Sequence, residues 1–163
     1  MRLRHLLPFL LFAPLHIQAA VNYKNSDFEL KLGSDWTRTT LIGADHMYFE
    51  SKQAQVSFKM EVWKKPIKRA DLDKAASRLI DLGIKREQDD NRAGSVTITK
   101  QTLTPMKEGV RADYSGRDST QRSFRFVGFV QENKVIYLYF ETPTRHEDRL
   151  QSVVFEVLDG LKY

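Results

Sequence analysis

The chain has 163 residues, a formal charge of +5 and no cysteine. That length suits one domain with its own hydrophobic core. The lack of cysteine excludes disulfides, and acids and bases interleave too evenly to give the concentrated basic face that nucleic-acid binding requires.

The chain opens with a secretory layout: Arg2 and Arg4, the apolar run Leu6–Ile17 interrupted by Pro8 and Pro14, then Gln18-Ala19-Ala20. A basic start, a short apolar run and a small-residue end define a cleavable signal, and the run is short for a membrane span. Cleavage after Ala19 or Ala20 leaves residues 21–163 as one domain in the periplasm or outside the cell. It removes two positive charges, and no cysteine follows for a lipid anchor. No later segment is apolar enough to span a membrane.

Asp27–Leu32 alternates Phe28, Leu30 and Leu32 against Glu29 and Lys31, the pattern of a half-buried strand. Gly33-Ser34-Asp35 turns the chain into Trp36, expected to plug one end of the core, and residues 41–45 form a glycine-containing loop. Met47–Glu50 and Gln55–Trp63 are the next strands. In the second, Val56, Phe58, Met60 and Val62 form a buried face, while Gln55, Ser57, Lys59, Glu61 and Trp63 form a wet one. Pro66 ends that strand. The spacing then predicts a helix over Arg69–Leu82, with Leu72, Ala75, Ala76, Leu79, Ile80 and Leu82 near one stripe and Gly83 as its stop. Lys85–Gly94 is almost wholly polar and reads as a solvated connector. Val96–Thr104 and Val110–Gly116 form a hairpin across Pro105–Gly109.

The densest β signal is Ser123–Val130 and Val135–Glu141, two aromatic and β-branched runs around Gln131-Glu132-Asn133-Lys134. Both alternation classes are apolar, as in the middle of a sheet covered on both faces. Two registers are open. We expect the one that sets Val130 opposite Ile136 and Phe129 opposite Tyr137, with a three-residue loop around a left-handed Asn133. The chain closes with a helix whose stripe is Leu150, Val153, Val154, Val157, Leu158 and Leu161. Thr144 and Glu147 match a capping box at its start, and Phe155, off the stripe, is expected to pack sideways against a strand, the alternative being an exposed contact residue. The fold class is α+β: an antiparallel sheet of about six or seven strands packed by two helices.

Catalytic and metal motifs do not emerge. His46 and His146 are the only histidines beyond residue 20. Neither has a zinc-site spacing, and no phosphate loop or serine elbow accompanies them. The expectation is no enzyme, no cofactor and no metal. The candidate partner-binding residues are Trp63, Tyr137 and Tyr139, aromatics on the outward alternation, and Arg117, Arg122 and Arg125, a basic cluster that would attract an acidic partner. A helix lying over Tyr137 and Tyr139 would instead make them core.

The element order, with DFELKLGSDW at its start, resembles the PsbP-like superfamily of extrinsic photosystem subunits, Ran-binding relatives and bacterial DcrB-type envelope proteins. Phe28, Leu30, Leu32 and Trp36 fit that pattern, while Gly33 stands where a proline is usual and Asp35 where a small residue is usual. The resemblance implies a largely non-enzymatic protein that binds another protein, with immunity or adaptor proteins of bacterial secretion systems as one version. The alternative is a periplasmic carrier of a small ligand or lipid, using a pocket between sheet and helices.

Overall fold

A computed structural model describes residues 20–39, 46–90 and 94–163. The expected signal segment up to Ala19, the loop at 41–45 and residues 91–93 lie outside the described residues.

Seven strands form the main antiparallel sheet: β3 (Trp36–Thr39), β4 (Met47–Ser51), β5 (Val56–Lys64), β6 (Val96–Met106), β7 (Gly109–Asp118), β8 (Arg122–Val130) and β9 (Lys134–Pro143), in the order β3-β4-β5-β9-β8-β7-β6. β1 (Val21–Lys24), β2 (Glu29–Leu32) and β10 (Leu161–Lys162) form a second, small sheet in which both neighbours pair with β2. The helices are α1 (Leu72–Asp89) and α2 (Glu147–Asp159), each entered through a short 3₁₀ turn.

Because side chains alternate across a strand, the central strands feed two cores. Phe58, Val127, Ile136, Leu138 and Phe140 face α2 and the small sheet, where they meet Leu30, Val154 and Val157. Tyr114, Phe124, Phe126, Tyr137 and Tyr139 face the opposite way, where they meet Leu72, Ala76 and Ile80 of α1. Trp36 plugs the first core as expected, buried and edge-on to Phe58 with ring centroids 5.1 Å apart.

The sheet's edge strand β6 is long and exposed along most of its length. A bulge between Ile98 and Lys100 breaks its register with β7, and Pro105 sits near its end.

Four local expectations need correction, each for a physical reason. First, α1 does not stop at Leu82. It runs to Asp89 and absorbs half of the expected polar connector. Gly83 is not a cap but a point of close approach: a Cβ there would lie 2.6 Å from the Tyr114 hydroxyl. Glu87 then supplies a buried polar anchor farther along. Leu82 is 55% exposed, about 200° around the helix from buried Ile80 at 3.6 residues per turn. Gly83→Ala, ordinarily favourable in a helix by about 1 kcal/mol, is therefore expected to destabilise by about 1–3 kcal/mol through overpacking, read as a lower urea midpoint. Tyr114 has little room to yield, since it is buried and stacked on Phe126 with centroids 4.9 Å apart.

Second, the central hairpin takes the other register, with Val130 opposite Val135 and Phe129 opposite Ile136. The Gln131 N–H donates to the Lys134 carbonyl at 2.9 Å, closing a tighter turn, and Asn133 keeps a negative φ. The turn's geometry is held from outside: the carbonyls of Glu132 and Asn133 accept the N–H groups of Ile67 and Lys65 at 2.7 and 3.2 Å.

Third, the capping box does not form. Glu147 starts α2 but turns to the sheet, where the Arg117 Nε lies 2.6 Å away and the Ser123 hydroxyl donates to it at 3.1 Å. Fourth, α2 ends at Asp159, so Leu161 belongs to β10 and is buried opposite Leu30. Gly160 makes that hand-over possible, since a Cβ there would meet the Lys31 carbonyl at 2.1 Å. Of the two places open to Phe155, it takes the exposed one. It is 71% exposed on the outer face of α2.

Candidate partner-binding surface

The three candidate arginines do not form one cluster, because alternation sends them to opposite faces of the sheet. Arg122 lies on the α1 side, while Arg117 and Arg125 lie on the α2 side.

Arg122 is the hub of its face. Its Nε donates to Asp118 at 2.7 Å and its Nη2 to Glu87 at 2.8 Å. Its Nη1 donates to the Tyr139 hydroxyl at 3.0 Å and to Glu141 at 3.5 Å. A planar fork of donors suits this task, which a point charge could not perform. The effect is to tie the last turns of α1 to β8 and β9. The Asp118 side chain is fully buried; its carboxylate also accepts the Thr120 N–H at 2.9 Å, the Thr120 hydroxyl at 2.6 Å and the Arg122 N–H at 3.2 Å. These bonds close the β7–β8 turn, in which Gln121 adopts a left-handed φ of 64°.

Burial alone would raise the pKa of Asp118, but the hydrogen bonds from Thr120 and Arg122 outweigh it and hold the carboxyl below its usual range. Because the folded state lowers this pKa, the associated stability is full above the ordinary aspartate value of about 4. It is lost as pH falls through the folded value. Urea midpoints should therefore drop on acidification below about pH 4, and Asp118→Asn should flatten that dependence.

On the other face Arg125 donates to Asp113 at 3.1 Å and also to Gln151 of α2. Arg111 reaches the same Asp113 in a two-pronged contact at 2.8 and 2.9 Å. Arg117 pairs with Glu147. Each of the three arginines thus already has a carboxylate, so they are not a free basic patch. Their first role is structural.

Tyr137 and Tyr139 are core residues, buried under α1. Burial is the main cause that pushes both phenols above their usual pKa, assisted by Glu61 for Tyr137 and by Glu87 for Tyr139. Trp63 remains outward and 47% exposed, edge-on to Tyr137 at 4.9 Å, with its indole N–H donating to Glu61 at 3.0 Å.

What the sequence did not disclose is the groove beside Trp63. α1 packs over β6, β7 and β8 and leaves the same face of β4 and β5 uncovered. A groove of about 940 Å³ runs there between α1 and the strands, reaching from His46 and Tyr48 past Lys59, Leu82 and Arg86 to Arg122 and Glu141. A narrower cleft of about 130 Å³ continues it to Trp63 and Leu79. Lys59 sits on the floor, its ammonium 5.0 Å from the centre of the Tyr139 ring. Burial lowers its pKa, and the nearby Arg86 guanidinium lowers it further. The alternation alone puts Lys59 on an ordinary wet face; only the continuation of α1 past Gly83 makes that face one wall of a groove. His46 lines the same groove, with its Nδ1 3.9 Å from a Glu61 carboxylate oxygen.

No protein-family model and no curated protein sequence matches the chain. Solved structures do. The solution structure of cyanobacterial PsbP (CyanoP) from Synechocystis sp. PCC 6803 superposes with a TM-score of 0.66 over 92% of this chain and 95% of its own, at 12% identity. The fold is PsbP-like. A second structure, from Bacteroides thetaiotaomicron VPI-5482, aligns at a TM-score of 0.44 and 15% identity, over 83% of this chain and 44% of its own. At 12% identity the likeness to PsbP speaks for architecture alone, and function has to be argued from the surface.

Proposed function

We propose that the chain is an exported, non-enzymatic protein-binding module of the bacterial envelope, of the DcrB type. An immunity or adaptor protein that holds a secretion-system effector is the concrete form of this reading. The observation that supports it is the uncovered groove beside α1, flanked by two large exposed apolar side chains, Trp63 and Leu82. An aromatic anchor beside a polar channel is the usual make-up of a protein-contact hot spot. A carrier would need an enclosed cavity between sheet and helices, but the groove lies open beside α1, and beneath α1 Leu72, Ala76 and Ile80 are buried against Tyr114 and Phe126. A carried molecule would have to displace this packing, so surface binding is the better reading. Among the described residues no helix is long and apolar enough to cross a membrane.

The test is affinity capture with tagged residues 21–163 from periplasmic and secreted fractions, run beside the double variant Trp63→Ala, Leu82→Asp. The expected result is one near-stoichiometric protein partner that the variant loses, at a cost of about 2 kcal/mol or more for an anchor residue. Capture of no protein, or a partner indifferent to the variant, overturns the groove as the binding face. A small molecule retained in native mass spectrometry would move the assignment to a carrier.

A further inference from the structure

The groove is lined by both signs, Lys59, Lys85, Arg86 and Arg122 against Glu87, Asp89, Asp90 and Glu141, so what matters is which of them are paired. Arg122 is taken by Asp118, Glu87 and Glu141, and Glu61 is engaged by Trp63 and faces His46. Among the described residues Lys59 and Arg86 form no salt bridge, although Glu61, Glu87 and Glu141 act on Lys59 from farther away. The two are on opposite walls of one groove, Lys59 from β5 and Arg86 from α1, and both border the cleft that leads to Trp63 and Leu82. Burial and Arg86 together disfavour the charged form of Lys59 more than Glu61, Glu87 and Glu141 favour it. That form becomes favourable when an anion lies between the two cations.

We propose that Lys59 and Arg86 together seat the carboxylate of an aspartate or glutamate side chain on the protein partner, with a large apolar residue beside it packing on Trp63 and Leu82. The inference rests on the protein-binding reading above and names the chemistry of that partner. A carboxylate fits better than a phosphate or a nucleic-acid backbone because Glu87, Asp89, Asp90 and Glu141 also line the groove. Those carboxylates repel a multiply charged anion more strongly than a singly charged one, and the two oxygens of one carboxylate can each meet one of the two cations. The aliphatic stem of Lys59 and the exposed Leu82 give the neighbouring apolar side chain its surface.

The experiment is selection of a displayed random-peptide library on residues 21–163, which hold every described element. Enriched peptides should share an Asp or Glu next to an aromatic or large aliphatic residue. A synthetic copy should lose about tenfold or more in affinity on Lys59→Met and on Arg86→Gln, as for a charged hydrogen bond. Changing its acid to the amide should cause a similar loss, and should add little once Lys59 is already methionine. Because Lys59→Met removes a desolvated charge, its thermal midpoint should be unchanged or higher, which separates lost binding from lost folding.

The proposal is overturned if no peptide is enriched, if enriched peptides lack an acid, or if both variants bind them undiminished. It is also overturned if inorganic phosphate or acetate alone, at the peptide's concentration, perturbs the Lys59 side-chain resonances as much as the peptide does. If a captured partner binds the Lys59→Met, Arg86→Gln double variant as well as the native protein, the carboxylate seat is wrong while the module reading stands. If capture and selection both yield nothing, both readings fall.

Discussion

Phe58→Ala is expected to lower the unfolding free energy by about 4 kcal/mol, within the range of about 3–5 for a buried phenylalanine truncated to alanine. Phe58 is fully buried at the meeting point of three rings. Phe49 stacks on it at 4.8 Å, Phe140 lies tilted at 5.0 Å and Trp36 presents its edge at 5.1 Å. Phe49 and Phe140 come from the two strands that flank β5, and Trp36 from the edge of the sheet, so the cavity cannot be closed by moving one element. Against a typical total of about 5–15 kcal/mol, the loss removes a large share of the stability. Urea denaturation followed by tryptophan fluorescence would measure it, since Trp36 reports on the same cluster. Phe155→Ala, with the same change of atoms on an exposed position, should shift the midpoint hardly at all. Equal effects at the two sites would contradict the packing described.

Arg122→Met is expected to cost about 3 kcal/mol, the lower end of the range for breaking a buried ion pair by removing one partner. The penalty arises from what is left behind. The carboxylates of Asp118 and Glu87, with side chains 0% and 10% exposed, lose their charged donor and keep their burial. Arg122→Lys should rescue little, because an ammonium cannot address Asp118, Glu87 and the Tyr139 hydroxyl at once. The double variant Arg122→Met, Glu87→Gln should cost less than the sum of its parts, as expected for groups sharing one network. Strict additivity would mean that α1 is held over the sheet by apolar contacts alone. Hydrogen exchange offers a local readout, since the last turns of α1 should lose protection before the sheet does.

How much of this was legible in the sequence depended on the kind of signal. Apolar period places much of the core: the alternation of Val56, Phe58 and Met60, the doubly apolar hairpin Ser123–Val130 and Val135–Glu141, and the stripe from Leu150 to Val157 all lie as their spacing implies. Leu82 and Leu161, counted in such stripes, fall instead on the exposed side of α1 and in β10. The errors came where a long-range contact overrides local preference. Gly83 looks like a stop because glycine ends helices; its reason for being there is Tyr114, thirty-one residues away. Glu147 looks like a reciprocal cap because of its distance from Thr144, yet Arg117 is the stronger partner. Asn133 looks left-handed until the carbonyls of its turn are seen to be held by Lys65 and Ile67.

The candidate site was less legible. Trp63 could be picked out because an aromatic on a polar alternation class is conspicuous. Tyr137 and Tyr139 share that class but lie beneath α1, and Arg117, Arg122 and Arg125 are neighbours in sequence that the pleat separates. Lys59 and Arg86 carry no motif at all. They come together because the sheet is seven strands wide and one helix covers only part of its face, a relation that no local pattern encodes.

The edge strand β6 has a consequence for life in a crowded compartment. Its outer side offers a run of backbone amides and carbonyls to any extended chain that arrives, including another copy of the same protein. The bulge at Ile98–Lys100, the charge of Lys100 and the missing N–H of Pro105 interrupt that template at three places. Without those interruptions, one molecule could join the next strand to strand, and nothing in an open sheet would tell the growing chain of molecules where to end.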